Sequence, residues 1–496
     1  MNKKYVIAFD QGTTSTRTII FDLQGIIQGV SQEELTQYYP ESGWVEHDPN
    51  QIYQDQRKTF ETVLKDSKID PNDIAAIGIT NQRETTVVWD KDTGEPIYNA
   101  IVWLDNRTKD ICQTLKNDGL GTYVREHTGL VIDAYFSGTK LKWILDNVEG
   151  AREKAEAGKL LFGTIDSWLI YKFTNGKHHY TDHTNASRTM LYNIKDLTWD
   201  DTLLTALNIP KAMLPEVKTS SSNFGSVQYK DISIPIYGVA GDQQAALFGQ
   251  GGSAEGIAKN TYGTGCFILL NNGEDYVASK NGLITTLACS FPEQPKNYAL
   301  EGSIFIGGAS IQWLRDKMLL INQASETEQI CTSIPPLKDL YVVPAFAGLG
   351  APYWDANAKG AIYGITLDIG KNEIIKATIE ALAYQTKDVI KAMEEDSGKA
   401  LTSLKVDGGA SANNYLMQFQ SDLLNVTVDR PKMIEITALG AAMLAGLKAG
   451  VWTKQDIASI REVEQIFSPE MDTATRIEKY TGWLDAIRRT KTVNED

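Results

Sequence analysis

One repeated pattern constrains the fold of this chain more than any other feature. A short strand, a Gly-Thr turn and a second strand occur first at residues 5–21, where the turn carries the letters DQGTTS at residues 10–15. The same order returns at residues 260–270, where NTYGTG leads into an apolar run. The repeat predicts two halves built on a similar plan, with a boundary near residues 249–256.

Strand-like and helix-like segments alternate along the chain, which favours an α/β architecture. Apolar runs at residues 5–9, 16–21 and 26–30 predict a three-stranded meander. Further strands are predicted at residues 74–79, 86–89, 234–240 and 404–407, and helices at residues 50–65, 243–248, 373–394 and around 416–423. The helix at 373–394 has Asn372 as its predicted N-cap, and we expect it to pack on the second sheet.

The charge balance excludes several classes of function. The 496 residues include 48 Lys and Arg against 63 Asp and Glu, a net charge of −15. A surface of that sign repels nucleic acid and anionic lipid unless a basic patch is present, and we find no such patch in the sequence. The apolar stretch 438–447 is far shorter than the ~20 residues of a membrane span, and we recognise no signal peptide. Four widely spaced cysteines fit a reducing compartment, so we expect a cytoplasmic protein.

Two histidines raise the question of a metal site. His179 and His183 stand four residues apart beside Asp182, a spacing that could place two ligands on one helix face. The polar segment 177–182 is more typical of an extended strand or a loop. We therefore favour ordinary surface histidines over a metal site.

The familiar nucleotide-binding motifs are absent, because no Gly-Lys pair precedes Ser or Thr and no predicted strand leads into G-x-G-x-x-G. The first Gly-Thr turn offers another solution, since glycine at a hairpin tip lets backbone N–H groups approach phosphate oxygens. Asp10 could hold a hydrated Mg²⁺ there, and Arg17 could add positive charge. A single turn of this kind would be an ordinary hairpin. The second turn at residues 263–265, preceded by Asp242, and the Gly408-Gly409 turn favour a phosphate site.

Asp242 is the predicted general base. It closes an apolar strand at the start of a predicted helix, where a carboxylate, a phosphate and a substrate hydroxyl can meet. A carboxylate in that place can accept the hydroxyl proton during phosphoryl transfer, a contribution of roughly 10²–10⁴ in rate. The alternative, an Asp that caps the helix beginning at Gln243, is compatible with this role.

Arg83 and Glu84 follow the predicted strand 74–79, and adjacent opposite charges are usually a solvated surface pair. Together with Trp103, Tyr135 and Phe267, Glu84 would nonetheless form a polyol site, because charged groups bind hydroxyls and aromatic faces cover a carbon chain. Spacing alone does not show that these residues converge.

Several longer segments resemble the FGGY carbohydrate kinases, and the resemblance covers nearly the whole chain. They are DQGTTS at 10–15, GWVEHDP at 43–49, GITNQRETT at 78–86, YFSGTKLKWI at 135–144, GDQQAALFGQ at 241–250, and GAIYGI at 360–365 continuing into the helix through Glu380. The resemblance implies an α/β, two-domain, actin-like and hexokinase-like ATPase fold, with duplicated ribonuclease H-like mixed sheets and a deep interdomain cleft. Residues 1–250 would form the N-terminal domain and residues 251–496 the C-terminal domain.

The resemblance also implies an activity and a set of site residues. Arg83-Glu84 with Trp103 points within the family to glycerol as the acceptor, so ATP and Mg²⁺ would be used to make sn-glycerol 3-phosphate and ADP. Asp242 would be the base, and Asp10 would hold Mg²⁺ through water. The implied glycerol site comprises Arg83, Glu84, Trp103, Tyr135, Asp242, Gln243 and Phe267. The implied nucleotide site comprises Thr13, Thr14, Ser15, Arg17, Thr264, Gly308, Gln312, Gly409 and Asn413. A homo-oligomer, either a dimer or a tetramer, is implied as well.

Two other functions stay open: a kinase of the same fold for another polyol or a ketopentose, and an actin-like ATPase that uses ATP as a conformational switch. The switch protein would hydrolyse ATP without an acceptor, and the sequence contains no attached peptide-binding module. Departures from the family pattern concern regulation. Residues 226–232 lack the Gly and Arg of a bisphosphate-binding loop, residues 220–235 lack a phosphorylatable His, and Ala134 stands where relatives often have Pro.

Overall fold

The computed structural model of the protein describes residues 3–252, 254–355 and 357–492. The strands over these residues are β1 (Tyr5–Gln11), β2 (Ser15–Asp22), β3 (Ile27–Glu34), β4 (Glu46–His47), β5 (Ile74–Asn81), β6 (Val87–Asp90), β7 (Ala100–Ile101), β8 (Leu160–Gly163), β9 (Tyr180–Asp182), β10 (Tyr192–Asn193), β11 (Thr198–Trp199), β12 (Glu216–Lys218), β13 (Ser226–Tyr229), β14 (Ile232–Gly241), β15 (Ile257–Tyr262), β16 (Cys266–Gly273), β17 (Ile284–Leu287), β18 (Tyr298–Ile304), β19 (Tyr341–Val343), β20 (Ala361–Tyr363), β21 (Ser403–Asp407), β22 (Thr427–Pro431) and β23 (Val463–Phe467).

The α-helices over the same residues are α1 (Pro49–Ser67), α2 (Lys109–Asn117), α3 (Gly121–Thr128), α4 (Ser137–Asn147), α5 (Ala151–Glu156), α6 (Ile165–Phe173), α7 (His183–Ala186), α8 (Asp201–Leu207), α9 (Asp242–Gly249), α10 (Ala309–Asp316), α11 (Glu326–Ser333), α12 (Lys371–Ser397), α13 (Asn414–Leu424), α14 (Ile436–Ala449), α15 (Lys454–Ile460) and α16 (Thr473–Thr490). Short 3₁₀ helices occur at Pro71–Asp73, Lys211–Met213 and Gly409–Ala412.

The first sheet contains the predicted meander. Its strand order is β13-β14-β5-β1-β2-β3, with β1, β2 and β3 as antiparallel neighbours. On the other side of β1, β5 and then β14 run parallel to it. Every residue of β5 is buried, since both faces of this part of the sheet are covered. That burial explains why residues 74–79 read as a continuous apolar run rather than an alternating one.

The second sheet repeats this plan. Its strand order is β17-β18-β16-β15-β21-β22-β23. Strands β15, β16 and β18 are antiparallel neighbours, while β21 and then β22 continue the sheet parallel to β15. The prediction of two similarly built halves is therefore confirmed, and the chain has the two-domain α/β fold expected from its sequence.

Helices α9 and α14 pack against each other and against the first sheet. Helix α14 contains the apolar stretch 438–447, and it covers β1, β5 and β14 although it belongs to the second half of the chain. The approach is close: a Cβ atom on Gly78 of β5 would lie 2.0 Å from the carbonyl oxygen of Ala441. Within the described ranges, no helix is both long enough and apolar enough to cross a membrane.

The long helix α12 packs against β16, β18 and β19, so its predicted place on the second sheet is confirmed. Its predicted N-cap, Asn372, is wrong. The helix begins at Lys371 after Gly370, whose backbone N–H donates to the Glu373 carboxylate at 2.9 Å. This hydrogen bond to a glutamate three residues along the chain caps the helix, which begins two residues earlier than predicted.

Candidate active site

Three parallel strands of the first sheet end side by side. The last residue of β1 pairs with the last residue of β5, which in turn pairs with the last residue of β14. Asp10 lies at the end of β1, the Arg83-Glu84 segment follows β5, and Asp242 follows β14. Polar groups at the carboxyl edge of parallel strands are the usual ligand site of open α/β sheets. Three segments that are far apart in the sequence thus contribute polar side chains to one edge of the first sheet.

The turn between β1 and β2 is held in place by the segment after β5. The Gln82 side-chain amide donates to the carbonyl of Gly12 at 3.1 Å. The indole N–H of Trp103 donates to the Thr13 hydroxyl at 2.9 Å. The predicted phosphate turn and the predicted acceptor wall are therefore in direct contact. The other two predicted residues of the turn are Thr14, which is exposed, and Ser15, which opens β2.

Asp10 and Arg17 face each other across β1 and β2, with Arg17 Nη2 2.5 Å from Asp10 Oδ2. Arg17 Nη1 lies 2.7 Å from a carboxylate oxygen of Glu435, the residue before α14. Burial raises the pKa of Asp10, and the charge of Arg17 opposes that rise. The charge of Asp242 adds to the rise, so these two carboxylates interact electrostatically. Arg17 is thus paired with two carboxylates rather than presenting an unpaired charge.

Four buried charged side chains form a network next to Asp242. Arg83 donates to both carboxylate oxygens of Glu301, at 2.7 and 3.0 Å. Arg188 donates through Nε to Glu84 at 2.5 Å, and its Nη2 lies 3.3 Å from Glu301. Each of the four side chains is at most 2% exposed. Because Glu301 lies on β18, the network joins the two halves of the molecule.

The two glutamates of this network are shifted in opposite directions. Burial alone would raise the pKa of Glu301, but the charges of Arg188 and Arg83 outweigh it and hold that pKa at about 2. Burial does raise the pKa of Glu84, which receives one hydrogen bond from Arg188 and lies 3.9 Å from Arg83. Glu84 also has a positive φ of 62°. Non-glycine residues in that conformation are strained and are concentrated at functional sites.

Asp242 is the accessible member of this group, with 34% of its side chain exposed. Arg83 Nε lies 3.3 Å from Asp242 Oδ1, and the backbone N–H of Gln243 donates to the same oxygen at 2.7 Å. Helix α9 begins at Asp242, one residue earlier than predicted, so the carboxylate lies in the first turn, where the helix dipole favours negative charge. An accessible carboxylate beside a fixed guanidinium is placed to take a proton from a bound hydroxyl.

Aromatic side chains lie beside the charged network. The rings of Trp103 and Tyr135 meet edge to face with centroids 5.6 Å apart, and the Arg188 guanidinium lies 5.3 Å from the Tyr135 ring. Lys140 fixes the Tyr135 loop, since its buried ammonium donates to the carbonyls of residues 134–136. Phe267 lies on β16 of the second sheet, and among the described residues no ring contact joins it to Trp103 or Tyr135.

The glycine turns of the second half lie against one another. The backbone N–H of Gly308 donates to the turn at residues 263–265 at 2.8 Å, and the carbonyl of Thr264 accepts from the loop that opens α10. Gly408 has φ 87°, and a Cβ atom there would lie 2.5 Å from the carbonyl oxygen of Tyr262. These turns follow β15 and β21, at the edge equivalent to the site edge of the first sheet. The remaining predicted residues are Gln312, exposed on α10, Gly409, which starts a 3₁₀ helix, and Asn413, the N-cap of α13.

Sequence reasoning missed Gln82, Arg188 and Glu301. The sequence did contain a signal for Glu301, because it is the only charged residue in YALEGSI, an otherwise apolar strand. A charge buried in such a strand must be paired. Gln82 and Arg188 stand in polar segments. Their partners are distant in the sequence, so neither segment showed which side chain it would meet.

The two histidines do not form a metal site. The His179 ring contacts the carbonyl of Phe162 at 2.8 Å, the His183 ring contacts the Tyr192 hydroxyl at 3.0 Å, and Asp182 caps α7. In the part of the chain that the structure describes, no group of three or more His, Cys, Asp or Glu residues could hold a metal ion. The surface prediction is wrong for His183, which is buried because this segment folds against Tyr192.

Known proteins share this architecture. Residues 5–249 match the N-terminal domain of the FGGY family of carbohydrate kinases, and residues 258–449 match its C-terminal domain. A glycerol kinase of Alkaliphilus oremlandii is 60% identical over 491 residues, covering 98% of this chain and 97% of that protein. A glycerol kinase of Fusobacterium nucleatum subsp. nucleatum is 59% identical, covering 98% and 99%.

Two solved structures are similar over nearly their whole length. Plasmodium falciparum glycerol kinase with ADP has a TM-score of 0.94 and 37% identity, covering 99% of both chains. A ligand-bound xylulose kinase of Lactobacillus acidophilus has a TM-score of 0.89 at 24% identity, covering 98% of both chains, and shares the fold. The chain belongs to the FGGY family of carbohydrate kinases.

Proposed function

We propose that the protein is a glycerol kinase, which transfers the γ-phosphoryl group of ATP to glycerol and forms sn-glycerol 3-phosphate and ADP. The observation that carries this proposal is the meeting of Arg83, Glu84 and Asp242 at one sheet edge, beside the Gly-Thr turn. Relatives that are 59% and 60% identical over nearly the whole chain and carry the name glycerol kinase support glycerol as the acceptor.

The chemical step follows from the position of Asp242. Its carboxylate accepts the proton of the acceptor hydroxyl while that oxygen attacks the γ-phosphorus of ATP. The new oxygen–phosphorus bond forms as the bond from the γ-phosphorus to the β,γ-bridging oxygen breaks, and ADP leaves. Arg83 orients the carboxylate from 3.3 Å while its terminal nitrogens remain fixed by Glu301. Of the other proposed glycerol-site residues, Glu84 and Tyr135 bind the hydroxyls, and Trp103 and Phe267 line the carbon side. Gln243 stands beside the substrate and the phosphates.

The nucleotide is proposed to bind between the two Gly-Thr turns, since each follows the carboxyl edge of one sheet. Phosphates would bind the first turn and Thr264, and Arg17 would exchange one of its carboxylate partners for a phosphate oxygen. The residues of this site are Thr13, Thr14, Ser15, Arg17 and Thr264 on the phosphates and Gly308, Gln312, Gly409 and Asn413 around the rest of the nucleotide. Backbone N–H groups in such turns hold anions without a basic surface, which fits a protein of net charge −15.

Asp10 fits a Mg²⁺ site of the kind completed by waters and phosphates. Arg17 occupies Oδ2, while Oδ1 has no hydrogen-bond partner within the described ranges. When bound, the ion would neutralise charge on the nucleotide phosphates.

We assign the acceptor and the first phosphate turn to residues 1–250 and the nucleotide frame to residues 251–496. The Arg83–Glu301 ion pair, which spans the halves, supports closure of the two domains over the reactants. Closure would exclude water, which otherwise competes with glycerol for the phosphoryl group.

A coupled assay of ADP release with MgATP tests the proposal against its alternatives. Glycerol, other polyols and D-xylulose are compared as acceptors, and a reaction without acceptor is included. We expect the highest kcat/KM with glycerol and negligible ADP release in the absence of an acceptor. A pentulose that exceeds glycerol would contradict the acceptor assignment, and acceptor-independent ADP release would favour an ATPase switch.

Cellular location and assembly complete the proposal. Cys112, Cys266, Cys289 and Cys331 are free and buried, which fits a reducing cytoplasm. From the family resemblance we propose a homo-oligomer, a dimer or a tetramer. Light scattering after gel filtration tests this, and a species at the monomer mass of 54.9 kDa would contradict it.

A further inference from the structure

Lys259 is a fully buried lysine in the centre of β15, the first strand of the second sheet. Cross-strand register places it opposite Leu269 of β16, and Leu269 is opposite Glu301 of β18. Residues that pair in this way share one face of a sheet. Leu269 packs against Leu247 of α9, so this face of the second sheet is turned toward the helix that begins at Asp242.

The Lys259 ammonium donates to Oε1 of Gln243 and to the Thr261 hydroxyl, the latter at 2.8 Å. A lysine ammonium can only donate, so the Gln243 oxygen must face Lys259 and the amide nitrogen must face away. In the described part of the chain, Gln243 Nε2 has no hydrogen-bond partner. Gln243 is therefore held at one end of its amide while both N–H donors at the other end are free.

Burial of an ammonium between two neutral partners is costly, and an apolar side chain in a strand would avoid the cost. Burial lowers the pKa of Lys259 to about 8, while nearby carboxylates oppose that change. Lys405, the register partner on β21, is paired with Asp429. The charged groups that act on Lys259 come from three other elements and from the loop after β5, and are Asp407, Asp242, Glu301 and Arg83.

We propose that Lys259 is a positioning residue for phosphoryl transfer, which holds Gln243 so that its amide nitrogen donates to the acceptor hydroxyl or to an oxygen of the transferred phosphoryl group. Gln243 adjoins the base in sequence as the second residue of α9, so both side chains start from the same helix terminus. Lys259 itself contacts no reactant in this scheme. The inference rests on the proposed kinase function and adds the residue that orients Gln243.

A double-mutant cycle separates this role from a merely structural one. Lys259→Met keeps an unbranched side chain as far as Cε but removes the ammonium group with its charge and donors, and Gln243→Ala removes the amide. We expect each single change to lower kcat about 10–100-fold, with KM for ATP unchanged, because a misplacement of about 1 Å costs a factor of this order. The double variant should be no slower than the slower single variant.

Lys376→Met is the matched control. Lys376 is also buried and donates to backbone carbonyls, those of Cys331, Ile334 and Pro335, but none of its partners belongs to the candidate site. We expect this variant to keep the wild-type kcat. The cycle is measured with the acceptor that the wild-type enzyme phosphorylates fastest. If that acceptor is not glycerol, the proposed function is refuted, but this test of Lys259 remains valid.

Multiplicative losses in the double variant, or wild-type kcat in Lys259→Met, would overturn the proposal. If Lys259→Met fails to fold, the pH dependence of kcat in the wild type and in Gln243→Ala tests the proposal instead. Wild-type kcat should fall above pH about 8 as Lys259 loses its proton, and Gln243→Ala should lack this fall. The same fall in Gln243→Ala would show that Lys259 does not act through Gln243.

Discussion

Replacement of Glu301 by Gln would remove one negative charge from the buried network that joins the two halves. Glu301 is 0% exposed, receives two hydrogen bonds from Arg83 and lies 3.3 Å from Arg188. Glutamine can satisfy only part of these donors. The variant would leave Arg83 and Arg188 with Glu84 as their only buried counter-charge in the network.

Two magnitudes give the expected loss in the free energy of unfolding. Breaking a buried ion pair by removing one partner costs about 3–5 kcal/mol. The pKa of Glu301 is held at about 2 against 4.5 for an ordinary glutamate, which corresponds to about 3 kcal/mol when the group is charged. A folded-state pKa below the unfolded value means that this stability is present above pH 4.5 and is lost as the pH falls toward 2. An assay near neutral pH therefore measures the full contribution.

Two measurements are needed for this variant. The thermal midpoint at neutral pH should fall by about 6–12 °C, the shift that about 3 kcal/mol produces in a domain of 150–250 residues. The kcat/KM for glycerol should fall by about 10–100-fold, because Arg83 is no longer held beside Asp242, while KM for ATP should be unchanged.

Glu380→Gln is the control, since Glu380 is also a buried glutamate, bonded to Tyr415, but lies in α12 away from the candidate site. It should leave the glycerol parameters unchanged. A Glu301→Gln protein with the wild-type midpoint and the wild-type kcat/KM for glycerol would refute the role assigned to the network.

Three further changes test other parts of the structure. Asp242→Asn should lower kcat by about 10²–10⁴ because the base is lost, while calorimetry should show unchanged ATP binding; near-normal turnover would reassign Asp242 to positioning or capping. Gly78→Ala should lower the thermal midpoint, because its Cβ would lie 2.0 Å from the carbonyl oxygen of Ala441. Gly121→Ala is the control and should leave the midpoint unchanged, since a Cβ at Gly121 would have nothing within 4 Å. Equal midpoints in the two variants would contradict the close packing of α14. Burial lowers the pKa of His47 to about 4, so about 3 kcal/mol of stability present above pH 6.5 should be lost as the pH falls toward 4. Denaturation in that range should be less pH-dependent in His47→Gln, and an identical profile would show that His47 does not contribute.

Much of the fold could be predicted from the sequence because its central strands are continuous apolar runs and its halves repeat one order of strands. The ends of the strands were harder to place. Strand β1 extends through Asp10 and Gln11, which look like turn residues in the sequence. They stay in the ladder because β2 and β5 hydrogen-bond to them on both sides, and no local pattern reveals that pairing.

The candidate site could be predicted only where its residues lie in recognisable segments. Arg83, Glu84 and Asp242 stand directly after strands, so their meeting at one edge follows from sheet topology. Arg188 and Glu301 bind partners 104 and 218 residues away, and pairing over such separations depends on how distant segments of the chain come together in the fold. For the same reason Arg17, a predicted phosphate ligand, was not expected to pair with Glu435, 418 residues away.

The central claim is that glycerol and the γ-phosphate of ATP meet at Asp242. A crystal structure with glycerol and a non-hydrolysable ATP analogue tests it most directly. We predict glycerol within about 3 Å of Arg83, Glu84 and Asp242, with one hydroxyl between the Asp242 carboxylate and the γ-phosphorus. Glycerol bound elsewhere, or a γ-phosphate remote from Asp242 in a closed complex, would contradict the account.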